Sequence, residues 1–223
     1  MSFYQELGSW FAPRGPSLSS SPMLASQAPS TDRLPTGHGK QTIVVFLRHC
    51  GCPFAEKTYL NIREVARAHK DINFTAVSHS DEASTNRWLQ SLPQAGSEPA
   101  NLSMIVDAEL QLYAAWGLGP TSYGHVLSLS SLQEVWRLAR DEGIANRPTE
   151  SGSRWQTSGF WAIDADGITR WGRPAKSADD VPDFEQAVEA LINQDAGVRS
   201  SHQTLFPRPS ENSRTVARLL IRS

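Results

Sequence analysis

The chain has 223 residues, 39% of them hydrophobic, and a formal net charge of −2. That supplies one α/β core with extensions, and without a basic excess to hold a phosphate backbone nucleic-acid binding is not expected. No apolar run approaches the roughly 18 residues a membrane helix needs, and Met1–Gly8 lacks the basic and apolar regions of a secretory signal, so a cytoplasmic protein without membrane partners is expected. The sequons Asn73-Phe74-Thr75 and Asn101-Leu102-Ser103 are then idle.

Residues 1–23, rich in Ser, Pro and Gly, read as a flexible extension with one amphipathic turn, Phe3–Phe11. The β-branched run Thr42–Leu47 predicts a strand buried on both faces. Pro53 suits the first turn of a helix, whose stripe Tyr59, Ile62, Val65 and Ala66 continues to about His69. Asn73–Val77 reads as a second strand. Ser80 or Asp81 can cap a helix carrying Trp88, Leu89 and Leu92. Leu102–Val106 is a third strand, and Asp107 caps a short helix, Glu109–Trp116, closed by Gly117. An insert, Leu118–Ser153, holds one helix near Ser131–Glu142. Phe160–Asp164 and Ile168–Trp171 form a hairpin around Asp166-Gly167. A last helix begins near Pro182, with Asp179 and Asp180 at its positive end and Phe184, Val188, Leu191 and Ile192 as its stripe. Residues 195–223 read as a tail. Strands alternating with helices predict a mostly parallel sheet with an antiparallel hairpin edge.

The two cysteines, Cys50 and Cys52, are separated only by Gly51. In a reducing compartment such clustering points to chemistry rather than to a disulfide framework. Cys52 falls where a strand hands over to a helix, the place where open α/β sheets put their sites. Unpaired N–H groups and the helix dipole there favour thiolate, the nucleophilic form. Arg48 and His49 could add positive charge. Cys50 either packs at the strand end or pairs with Cys52 in a strained, reducible disulfide. His49 is the acid/base candidate nearest Cys52; His79 and His125 are further ones. Two Cys and one His within Arg48–Cys52 are too tightly spaced for a zinc site, so no metal is expected.

Ala28-Pro29, Leu34-Pro35, the strand before Cys52-Pro53-Phe54, Val77-Ser78-His79-Ser80-Asp81, Asp107–Leu110 leading to Trp116–Gly119, and Phe160–Gly167 resemble, in order, the alkyl hydroperoxide reductase/thiol-specific antioxidant (peroxiredoxin-like) family. Pro174–Asp180 is similar to fungal members. The resemblance covers about residues 24–193 and implies a thioredoxin-like domain at 24–194, with Cys52 at the peroxidatic position. The chain departs from the family at several places. His49 stands where a peroxiredoxin has Thr or Ser, Val45 where it has Pro, and Ser158 where it has an Arg on the later hairpin strand. Ala55 stands where a thioredoxin-type second cysteine would be, and Gly159 falls near the thioredoxin cis-proline. The lost donors are those that would stabilise charge on a leaving oxygen, unless Arg48 and His49 substitute.

The pocket beside Cys52 is expected to be lined by Pro53, Phe54, Thr157, Ser158 and Trp161 and to take a small-molecule substrate. Three readings stay open. The first is a thiol-dependent oxidoreductase or peroxidase using Cys52, with no bound cofactor and glutathione or another thiol as reductant. The second is non-redox tailoring of a natural product (isomerisation, dehydration, cyclisation or glutathione addition), with the insert as pocket wall. The third is a binding module, including a homodimer, that uses Phe3–Phe11.

Overall fold

The structure is a computed structural model that describes residues 15–120 and 129–193. The amphipathic turn Phe3–Phe11, His125 and the tail from residue 195 lie outside them. The chain divides into a compact unit ending at Leu191 and a second segment, Ile192–Ser223. The compact unit contains, in order, β1 (Thr42–Phe46), α1 (Pro53–Ala68), β2 (Asn73–Ser78), α2 (Glu82–Ser91), β3 (Leu102–Val106), α3 (Gln111–Ala115), α4 (Leu129–Arg137), a π-helical turn (Leu138–Glu142), β4 (Gly159–Ile163) and β5 (Thr169–Pro174). A further helix, α5, begins at residue 184.

The five strands form one sheet in the order β3-β2-β1-β4-β5. β1 pairs parallel with β2 and antiparallel with β4; β2–β3 is parallel and β4–β5 antiparallel. This is the expected mixed α/β sheet, and the fold is thioredoxin-like. β1 is central and buried along its whole length, which is why its residues read as a continuous apolar run rather than an alternating one.

Strand alternation sorts the core into two layers. Val45, Phe160 and Ala162 face Tyr59 and Ile62 of α1, Trp88 of α2 and Phe184 and Val188 of α5. Val44, Phe46, Trp161 and Ile163 face Tyr113 and Trp116 of α3, with Ala28 and Leu34 from the N-terminal segment. Phe46, Trp116 and Trp161 stack there with ring centroids 5.0 to 5.9 Å apart. The Trp161 indole N–H donates to the carbonyl of Pro22, and Ser19 N–H donates to Ala114 O.

Local signals account for most element ends. The Asp81 carboxylate accepts from Ser84 N–H at 2.7 Å, capping α2. Asp107 accepts from Leu112 and Tyr113 N–H and so caps α3 from a distance, because Leu110 intervenes in a left-handed conformation (φ 59°). α3 is therefore shorter than Glu109–Trp116. The helix of the insert starts at Leu129, and its last turn widens into the π-turn before Gly143. The Asn101 side-chain amide donates to the carbonyls of Ala66, His69 and Ile72, closing the end of α1; that sequon nitrogen is engaged in the fold.

Trp161→Ala empties a fully buried site against the rings of Phe46 and Trp116. It should lower the unfolding free energy by about 3–5 kcal/mol, read as a fall in the urea midpoint at constant slope.

Candidate functional site

Beyond β1 the chain runs Leu47-Arg48-His49-Cys50-Gly51-Cys52 into α1. Cys52 N–H donates to His49 O at 3.0 Å, closing a turn, and Cys52 O accepts from Ala55 and Glu56 N–H. Cys52 thus occupies the N-cap of α1 in extended conformation, with Pro53 at the first helical position. Both cysteines are free thiols, each 6% exposed. The Cys52 sulfur makes no hydrogen bond among the described residues.

What buries this turn is a strap, residues 147–154, which follows the π-turn. Arg147 N–H donates to Gly51 O, and the Thr149 hydroxyl meets His49 Nδ1 at 3.3 Å. Ser151 accepts from the Ser80 hydroxyl and from Asp81 N–H. Ser153 N–H donates to His79 Nε2 at 3.2 Å, and Arg154 O accepts from Arg48 Nη2 at 2.7 Å. The Arg147 guanidinium pairs with the buried Glu56 of α1. Gly51 has φ +116°, and a Cβ there would lie 2.8 Å from Pro148 O. Only glycine allows the turn and the strap to approach this closely.

Burial sets the electrostatics. Burial first, then the charges of Arg48 and Arg154, hold His49 well below the usual histidine range. His49 is therefore neutral and adds no positive charge, which corrects the expectation of a cationic His49. His79, also buried, titrates at about 4. Burial pushes the Cys50 thiol up, against hydrogen bonds from Ser78, Ser80 and Thr85. Its sulfur sits 3.5 Å from Ser78 Oγ and 3.8 Å from Thr85 Oγ1, in a hydroxyl nest under β2 and α2. Arg48 remains as the cation of the turn. It is 4% exposed, and its Nε and Nη1 have no hydrogen-bond partner among the described residues.

Two cavities flank the turn. One, of about 10 Å³, is lined by residues that include Arg48, Phe54, Thr58, Ser158, Phe160 and Asp180. The other, about 240 Å³, is a groove along Cys50, Gly51, Arg87, Trp88, Arg147 and Pro148. Arg48, Phe54 and Ser158 are thus brought together, with Pro53 buried beside them. Thr157 donates its N–H to Gly119 O and lines neither cavity. Trp161 is a correction: it points into the α3 layer, and Phe160, one residue earlier, takes the place expected of it. Period-two alternation along β4 carried that signal. The strap partners Thr149, Ser153 and Arg154 were missed as site residues, and no short-range pattern marks them.

No protein-family model and no curated protein matches the chain. Among solved structures it is similar to a thiol peroxidase from Chromobacterium violaceum, with TM-score 0.52 and 12% identity over 81% of this chain and 92% of that one. A peroxiredoxin-like protein from Aquifex aeolicus aligns with TM-score 0.49 and 14% identity over 79% and 90%. At these identities the likeness to the thiol peroxidase speaks to the fold, which it shares. No helix among the described residues is long and apolar enough to cross a membrane.

Two expectations follow. Gly51→Ala forces a strain of about 1–2 kcal/mol at a left-handed backbone, on the order of tenfold in strap opening; iodoacetamide labelling of the cysteines should accelerate accordingly, with far-UV circular dichroism unchanged. His79 is protonated at about 4 in the folded chain, against an ordinary value of 6.5, so the unfolded chain binds more protons between those values. Stability is complete above about pH 6.5, falls as pH drops through the window, and levels near pH 4. His49 acts in the same direction, and His79→Gln should flatten the His79 share of that slope in pH-dependent unfolding.

Proposed function

We propose that the protein is a thiol-dependent oxidoreductase of the peroxiredoxin-like kind, with Cys52 as nucleophile. The observation that carries this reading is the pairing of two features at one turn. A thiol with no hydrogen bond at its sulfur caps a 16-residue helix, and a buried arginine four residues earlier keeps two nitrogens, Nε and Nη1, unengaged. Helix N-termini and nearby cations favour thiolate.

In the proposed reaction the Cys52 thiolate attacks the terminal oxygen of a hydroperoxide. The S–O bond forms as the O–O bond breaks, leaving a sulfenic acid, and the departing alkoxide takes a proton. An external thiol such as glutathione condenses with the sulfenic acid, releasing water and leaving a mixed disulfide; a second thiol frees Cys52 and departs as the disulfide. Arg48 would stabilise charge on the departing oxygen. Arg48 is the buried cation of the Leu47–Cys52 turn, and in this reading it takes the part of the arginine that the family carries where this chain has Ser158. The hydroxyl nest and raised Cys50 thiol suit a bystander rather than a second nucleophile.

With hydrogen peroxide or an alkyl hydroperoxide and glutathione or thioredoxin, native chain and Cys50→Ser should turn over, and Cys52→Ser should not. Arg48→Met should lower kcat/KM by about 10²–10³. Absence of Cys52-dependent turnover with every reductant would remove this reading. Full activity of Cys52→Ser on an organic substrate would install the non-redox alternative.

A further inference from the structure

We propose that the protein forms a two-fold homodimer by pairing the free edge of β3 with β3 of a second copy, antiparallel and centred on Met104. The inference is independent of the thiol chemistry.

The β2–β3 ladder leaves a defined set of groups on that edge. Phe74 N–H donates to Asn101 O and Asp107 N–H to Ser78 O, while Leu102 and Val106 stand opposite Phe74 and Ser78. In a parallel ladder this engages residues 101, 103, 105 and 107 with β2 and turns the N–H and C=O of Leu102, Met104 and Val106 outward. Two of those outward groups are spent. Leu102 N–H donates to Pro99 O at 2.9 Å, and Val106 O accepts from Arg33 Nη2. The carbonyl of Leu102, both groups of Met104 and the N–H of Val106 have no partner among the described residues.

Those groups are self-complementary. With Met104 facing Met104 of the second copy, each Met104 N–H meets the other Met104 O, and each Val106 N–H meets the other Leu102 O. Sliding the second strand by two residues sets a free carbonyl against the spent Leu102 N–H, or a free N–H against the capped Val106 O. The free groups therefore select one register and a closed two-fold pair. The side chains agree. Leu102–Val106 carries no charge, proline or bulge, the devices that blunt a sheet edge, and none of its residues is fully buried. Leu102 and Met104 lie on the α1 side of the sheet, where Leu102 would face Val106 of the second copy and Met104 its equivalent, apolar against apolar. A groove of about 310 Å³ runs beside Leu102 and Met104, and one of about 260 Å³ beside Ser103 and Ile105, so each face of β3 has room for neighbouring side chains. The opposite edge is blunted. Ala25 and Ser26 bond to Thr169, the register shifts beside Ile163, and β5 carries Arg170, Arg173 and Pro174. Association accordingly stops at two chains.

The test is sedimentation velocity of the full chain across a concentration series, with amide hydrogen exchange followed by NMR on the same samples. A strand-to-strand contact is small, so the expected dissociation constant is on the order of 10 μM. At ten times that constant, exchange at the Met104 and Val106 amides should slow about fivefold relative to dilute chain. Met104→Pro deletes the central N–H, which faces away from β2, so β3 can keep its ladder. It should weaken the dimer on the order of 10²-fold, with far-UV circular dichroism unchanged. If that variant fails to fold, the exchange pattern of the native chain decides. A 24.6 kDa species at every concentration up to about 1 mM, or a dimer without slowed exchange at Met104 and Val106, would overturn the proposal. So would a folded Met104→Pro chain that dimerises with native affinity.

Discussion

The strap of residues 147–154 is held across the end of β1 and the start of α1 by hydrogen bonds that recur at nearly every second residue. They run from Gly51 through His49, Ser80 and His79 to Arg48. Everything unusual about the site depends on that contact. It leaves both thiols 6% exposed, keeps two histidines neutral, and encloses the Arg48 guanidinium, which donates to Arg154 O. Remove the strap and the same turn would be a wet loop, where Arg48 would be solvated and His49 would titrate in its ordinary range.

The two cysteines therefore differ by environment rather than by sequence context. Cys50 faces Ser78 and Thr85, and its burial favours the neutral thiol. Cys52 caps α1, where backbone N–H groups are unpaired. One residue of glycine separates them, and its left-handed backbone lets two adjacent thiols belong to different surroundings.

Much of this was legible in the residues. The buried strand, the Cys52-Pro53 start of α1, the caps at Asp81 and Asp107, and the hairpin all rest on signals a few residues long, and each stands in the structure within about three residues. Phe54 and Ser158, expected in one pocket, both line the smaller cavity. What was not legible lies at long range. Thr149 meets His49 across 100 positions, and no local pattern announces it. The neutral state of His49 follows from burial under that strap, so a reading from neighbours alone favoured charge. Trp161 was misassigned for a different reason. Clustering of tryptophans along the sequence suggested a shared pocket, whereas alternation along β4 sends Trp161 and Phe160 to opposite layers.

The central proposal is that Cys52 reacts and Cys50 stays reduced, because the two thiols sit in different surroundings. The direct measurement is to treat the native chain with one equivalent of hydrogen peroxide in the presence of dimedone and map the adduct by mass spectrometry of the peptide containing both residues. The account predicts a sulfenic-acid adduct on Cys52. An adduct on Cys50, or unmodified Cys52 after the peroxide is consumed, would contradict it.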